Sequence, residues 1–152
     1  MFHYTECGLP AIWLVNGFMK RKIYQGGPVY IKNLTGLHRL IAKTLINCRS
    51  ALTGKEMIFL RRELRLLQQE LAERLGVDPV FIHRWENSPR PLPRHADIAL
   101  RALYAGALLE RSEKELFVHL ISESAPLLVK ERLYFIFSQR HWQRYQPAPS
   151  RA

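Results

Sequence analysis

The stretch LLQQELAERLGVDPVFIHRWEN, Leu66–Asn87, decides how this chain folds. Gln68 to Leu75 sets Leu71, Ala72 and Leu75 at helical spacing. Gly76 follows where a helix ends in the left-handed region that glycine enters freely. Asp78 is a residue that caps a new helix, and Pro79 suits the first helical position. Ile82 and Trp85 are then expected to face inward, three residues apart, leaving Pro79, Val80, Phe81, His83 and Arg84 on the outer surface. The pattern predicts two short helices joined by a tight turn.

The same logic extends in both directions. Thr53-Gly54-Lys55-Glu56 has the form of a capping box, with Leu52 and Met57 placed for a hydrophobic staple. The helix it opens carries Met57, Leu60, Leu64 and Leu67 on one face. Ser88 to Arg94 holds three prolines and is read as a loop. A further helix is expected from Arg94 to about Ala105, with Ala96, Leu100 and Leu103 in register. Before this block, AIWLVNGF and KIYQGGPVYIKN are β-branched and aromatic runs broken by Asn16-Gly17 and Gly26-Gly27-Pro28, which predicts a small antiparallel sheet. A helix over about Leu37–Ile46 and a linker over 47–52 complete that part. After the block, Ser112-Glu113-Lys114-Glu115 is a second capping box, opening a helix to about Ser122. Arg132–Phe137 reads as a strand that returns to the N-terminal sheet, with a buried helix as the competing reading.

The expected fold is α+β and mainly α: a helical bundle with a small N-terminal antiparallel β element and a C-terminal helix and strand. Its parts are a β-rich segment with one helix at 1–51, a helical domain at 52–109, the C-terminal addition at 110–138, and a flexible tail at 139–152. The 152 residues bear a net charge of +10, which favours a polyanionic partner. Residues 1–51 hold seven Lys/Arg against one acid, whereas 52–109 hold nine against seven. The helical domain is thus not the most basic part, and the N-terminal segment is placed to share in binding phosphate or to face an acidic protein. No apolar run reaches the roughly 18 residues of a membrane span, and no secretory signal is recognised. Two cysteines, Cys7 and Cys48, do not make a disulfide framework, so a reduced, cytoplasmic chain is the expectation.

Gln68-x-x-Leu71-Ala72-x-x-Leu75-Gly76-Val77, followed after seven residues by Trp85-Glu86-Asn87, resembles the Cro/repressor (Xre-type) helix-turn-helix. The resemblance spans about Leu52–Tyr104 and implies a lambda-repressor-like bundle that binds double-stranded DNA. It implies that Gln68 touches phosphate and braces the reading helix. Base readout would fall to Arg84 and His83, with apolar contacts from Val80 or Phe81. Gln69, Asp78, Pro79, Asn87, Arg90 and Arg94 complete the implied DNA-binding set. The family also implies an ion pair between Glu86 and Arg61 that fixes the reading helix. Three departures stand out: Leu67 replaces a Ser or Asn cap, Arg65 sits where a turn glycine is common, and Pro79-Val80-Phe81 is poor in hydrogen-bond donors. The N-terminal opening HYTECGLPAIWLVNGF, with GLHR at Gly36–Arg39, resembles bacterial regulators that carry such an extension, some of them antitoxins of the MqsA and HigA types.

The function implied is a sequence-specific transcription regulator, a homodimeric repressor of its own or a neighbouring promoter, requiring no cofactor. The alternative is an antitoxin that binds a toxin protein through its N-terminal segment while repressing its own operon. An enzyme is not expected. A zinc site from His3, Cys7, His38 and Cys48 lacks CxxC spacing, and Cys7 beside His3 lacks a third orienting group. Trp85 is expected in the core, as is the cluster of Phe117, Tyr134, Phe135 and Phe137.

Overall fold

A computed structural model describes residues 1–20, 28–48, 50–108 and 132–149. The chain divides into two compact units, Met1–Leu40 with Lys130–Ala152, and Ile41–Val129. The helix expected at Ser112–Ser122, with Phe117, lies outside the described residues.

The first unit is built on a four-stranded sheet. Its strands are β1 (Phe2–His3), β2 (Ile12–Leu14), β5 (Leu133–Ser138) and β6 (His141–Tyr145), in that spatial order. β1–β2 and β5–β6 are antiparallel, but β2 and β5 run parallel, so the sheet is mixed. The run expected at Arg132–Phe137 is therefore strand, over Leu133–Ser138, and it does return to the N-terminal strands. The register continues past β2: Val15 N–H donates to Phe135 O, and the Asn16 side chain donates to Phe137 O and accepts from Phe137 N–H. Asn16-Gly17 thus closes no hairpin with the next strand. It carries the chain into a separate two-stranded ribbon, β3 (Phe18–Lys20) with β4 (Val29–Ile31). Gly17 has φ +77, and a Cβ there would stand 2.7 Å from the Trp142 ring.

His141–Tyr145 corrects the flexible tail expected from residue 139, since five of those residues form β6. The turn before it, Gln139-Arg140, has φ +50 and +68 at its two central positions, the pattern of a type I′ hairpin. That turn normally signals itself through Asn-Gly or Asp-Gly, and here the signal is missing.

One face of this sheet is the core of the unit. Ile12, Leu14, Leu133, Phe135 and Trp142 are buried there. On the same side Phe2 packs on Phe18 at 5.0 Å, the Tyr4 hydroxyl meets His38 Nε2 at 2.8 Å, and Trp142 Nε1 donates to Lys32 O. Helix α1 (Leu34–Asn47) begins in this unit with Leu37 fully buried, and ends in the second. It starts three residues earlier than its apolar series because Asn33 caps it, Oδ1 accepting from Gly36 N–H.

The second unit holds the last turns of α1, α2 (Gly54–Glu63), α3 (Gln68–Leu75), α4 (Pro79–Glu86) and α5 (Arg94–Leu108). Thr53 caps α2 by accepting from Glu56 N–H, and Leu52 and Met57 are both buried, as a staple requires. α2 ends at Glu63, so Leu64 and Leu67 are not on its buried face, and Leu67 is 67 % exposed. Two helices in a row end in the same way. After α2, Leu66 N–H donates to Arg61 O and Arg65 N–H to Arg62 O; after α3, Val77 N–H donates to Ala72 O and Gly76 N–H to Glu73 O. Both are Schellman turns, which need a left-handed residue. Gly76 (φ 69) supplies one and Arg65 (φ 55) the other, so the missing turn glycine is replaced in sequence but not in backbone shape.

At Gly54, the first residue of α2, a Cβ would stand 2.3 Å from Trp85 O and 2.7 Å from Glu86 O. The N-terminus of α2 therefore meets the C-terminal carbonyls of α4 at a distance only glycine permits. Lower in the bundle, Asp97 is 2 % exposed and accepts from Leu52 N–H at 2.7 Å and from Arg101 Nε. Arg101 also donates to the carbonyls of Ile46, Cys48 and Ser50, at 3.0, 2.5 and 2.7 Å. One guanidinium thus satisfies carbonyls at the end of α1 and along the linker that follows it.

Candidate nucleic-acid interface

α4 is short, and its two ends are fixed by its own side chains. Asp78 Oδ1 accepts from Val80 N–H at 2.9 Å, and Pro79 occupies the first position, where its missing N–H costs nothing. At the other end, Asn87 Nδ2 donates to His83 O at 2.8 Å, closing a carbonyl the helix leaves open. Ile82 and Glu86 are buried, whereas Pro79, Val80, Phe81, His83, Arg84 and Asn87 are exposed.

Glu86 is the charged member of the buried side. It accepts from Arg61 Nε at 2.6 Å, from Arg61 Nη2 at 3.3 Å and from Gln68 Nε2 at 2.7 Å. Arg61 Nη1 donates to Leu66 O, the carbonyl inside the first Schellman turn. The expected Arg61–Glu86 pair is present, and Gln68 braces it from the first residue of α3. α2, α3 and α4 are thereby joined through one carboxylate. A buried charge with three donors is satisfied; removing one partner leaves it costly.

On the outer side, the Arg84 guanidinium lies over the Phe81 ring at 5.5 Å, and Phe81 packs on Trp85 at 5.8 Å. Trp85 is half-buried, not fully in the core, because its other flank meets His95 edge-on at 5.8 Å. His95, exposed in the first turn of α5, extends the outer surface. The sequence gives no hint of this, since nine residues, most of them a proline-rich loop, separate the two rings. Gln69, Arg90 and Arg94 are exposed. Leu67 offers no side-chain acceptor to the N-terminus of α3, and only Glu70 reaches back, accepting from Leu67 N–H.

The groups considered for metal or thiol chemistry are engaged otherwise. His3 Nε2 bonds Pro10 O, His38 bonds Tyr4, and Cys48 Sγ lies 2.9 Å from Ser50 Oγ. Burial pushes the Cys7 thiol up from its ordinary range, against the thiolate a nucleophile needs. Among the described residues no three His, Cys, Asp or Glu side chains gather as metal ligands, and no helix is long and apolar enough to cross a membrane.

Comparison with known proteins agrees with this geometry. No curated protein and no solved structure matches the chain. Residues 58–103, from the body of α2 to near the end of α5, match the family model described as Helix-turn-helix, and over that segment the chain carries a domain of the kind found in DNA-binding transcription regulators.

Proposed function

We propose that this protein is a sequence-specific regulator of transcription that lays α4 in the major groove of duplex DNA. The observation that carries the reading is the division of α4 into two faces. Its inner face is fixed to α2 and α3 through Ile82 and Glu86, and its outer face presents Val80, Phe81, His83 and Arg84. A helix held this firmly from behind, with a donor-bearing front, is the requirement for reading base edges. Arg84 is the residue for a bidentate contact to guanine, and Phe81 beneath it limits where the guanidinium can point. Val80 and Phe81 are placed for thymine methyl groups. Gln69, Arg90 and Arg94, with the N-terminus of α3 at Gln68, suit phosphate contacts that set register. Asp78, Pro79 and Asn87 act through α4, by fixing its first and last turns.

Four outward side chains on one helix recognise few base pairs, so the protein acts as a homodimer on two half-sites about 34–36 Å apart. Occupying a promoter, its own or a neighbour's, makes it a repressor. The test is a salt-titrated mobility-shift assay with the gene's own upstream region. Specific binding should exceed that to random duplex; equal affinity overturns the reading. Arg84→Ala should cost about 1–3 kcal/mol and relax sequence preference, whereas Arg94→Ala should weaken all duplexes alike and lower the salt slope by about 1.

A further inference from the structure

The helix-turn-helix unit is nearly balanced in charge. Ile41–Val129 holds thirteen Lys/Arg against eleven acids, whereas Met1–Leu40 with Lys130–Ala152 holds ten against two. Most of the excess positive charge therefore lies in the unit that has no reading helix, and it has a distinctive surface.

The register of the four-stranded sheet sets His3 beside Trp13, Trp13 beside Tyr134, and Tyr134 beside Tyr145. Paired residues share a face, so four rings form one row across all four strands. With strands about 4.8 Å apart, the row spans about 14 Å. His3 and Trp13 are already stacked, 4.3 Å apart and 8° from parallel. The Arg132 guanidinium lies over the same indole at 5.6 Å. On this face too, Gln143 lies beside Ile136 and His141 beside Ser138, and the exposed Gln143 and His141 carry hydrogen-bonding groups next to the row. The opposite face is the one closed by Phe18, Lys32 and His38. Trp13, flanked by the His3 ring and the Arg132 guanidinium, is half-buried, and so are Tyr134 and Tyr145.

We propose that this face binds single-stranded nucleic acid, stacking its bases on Tyr134 and Tyr145 while Arg132 and the net positive charge of the unit draw the phosphates. The chemistry is that of a stacking platform: every base has a π-face, so a row of rings accepts a strand with little sequence preference, and the cations supply affinity that falls with salt. The site lies outside the helix-turn-helix domain and does not depend on α4 reading a duplex.

The experiment uses the full chain and a labelled oligothymidylate of about 10 nucleotides. Binding should weaken steeply with salt. Tyr134→Leu and Tyr145→Ser should each weaken it about tenfold, while Tyr134→Phe, which keeps a ring, should retain it. Melting temperature confirms that each variant is folded, and duplex binding should stay unchanged in all three. If Tyr134→Leu loses its fold, Tyr145→Ser on the edge strand carries the decision. Oligothymidylate binding that is absent, or that persists unchanged in the ring-less variant, overturns the proposal. Loss of duplex specificity with oligothymidylate binding intact would overturn the α4 reading alone.

Discussion

Two buried arginine–carboxylate pairs hold the helical unit, and they do different work. Arg61–Glu86 joins side chains from α2 and α4, with Gln68 of α3 as a third partner. Asp97–Arg101 lies within α5, one turn apart, and spends its remaining hydrogen bonds on backbone: Leu52 N–H on one side, the carbonyls of Ile46, Cys48 and Ser50 on the other. The first orients a surface, whereas the second gathers the carbonyls at the end of α1 and in the linker after it. An ion pair of the same chemistry is thus a positioning device in one place and a backbone clamp in the other.

Breaking the second should cost more. Arg101→Met leaves the Asp97 charge buried beside an apolar stem and strands three carbonyls, so a loss of about 3–5 kcal/mol is expected in urea unfolding. DNA affinity of the folded fraction should change little. Arg61→Met should cost about 3 kcal/mol, but the folded fraction should also lose duplex affinity, because α4 is no longer held at Glu86. Equal effects of both variants on DNA binding would erase the distinction. Arg65→Gly sharpens it from the other direction. The left-handed Arg65 sits in the turn whose Leu66 carbonyl Arg61 binds, and relieving its strain should raise stability by about 1 kcal/mol with no change in DNA binding. The smallest effect is expected at Glu56, which senses the charges of Asp97 and Arg101. Burial holds its carboxyl above the ordinary value of 4.5, outweighing the opposing effects of Thr53 and Arg101. The folded state thus favours the neutral acid, so its contribution is full below the ordinary value and is lost as pH rises through the raised one. Glu56→Gln should be more stable than the parent at neutral pH, and melts taken down a pH series should converge in acid.

The two pairs also show what a sequence can reveal. Helix α3 and the start of α4 are legible to the residue, because apolar spacing, Gly76, Asp78 and Pro79 are all local signals. Arg61–Glu86 became visible through resemblance to a known helix-turn-helix pattern. Asp97 and Arg101 escaped notice: their partners are main-chain groups as far as 56 residues away, and a carbonyl carries no residue identity. The sheet divides similarly. Aromatic and β-branched runs marked β2 and β5, but β6 follows a turn made by Gln139 and Arg140, whose left-handed backbone their side chains do not announce. Trp85 was legible as an apolar ring at helical spacing; that it stands between Phe81 and His95 was not, since His95 comes from another helix. Leu67, assigned to a buried face by periodicity, is exposed because α2 stops four residues before it.

Gly54 bears on how the outward face of α4 moves. Where helices meet through side chains, rotamers give the joint some play. At Gly54 the N-terminus of α2 abuts the last carbonyls of α4 backbone to backbone, with no room for a methyl group. The joint therefore takes its stiffness from peptide planes at that end of α4, in addition to the hold that Arg61 and Gln68 keep on Glu86.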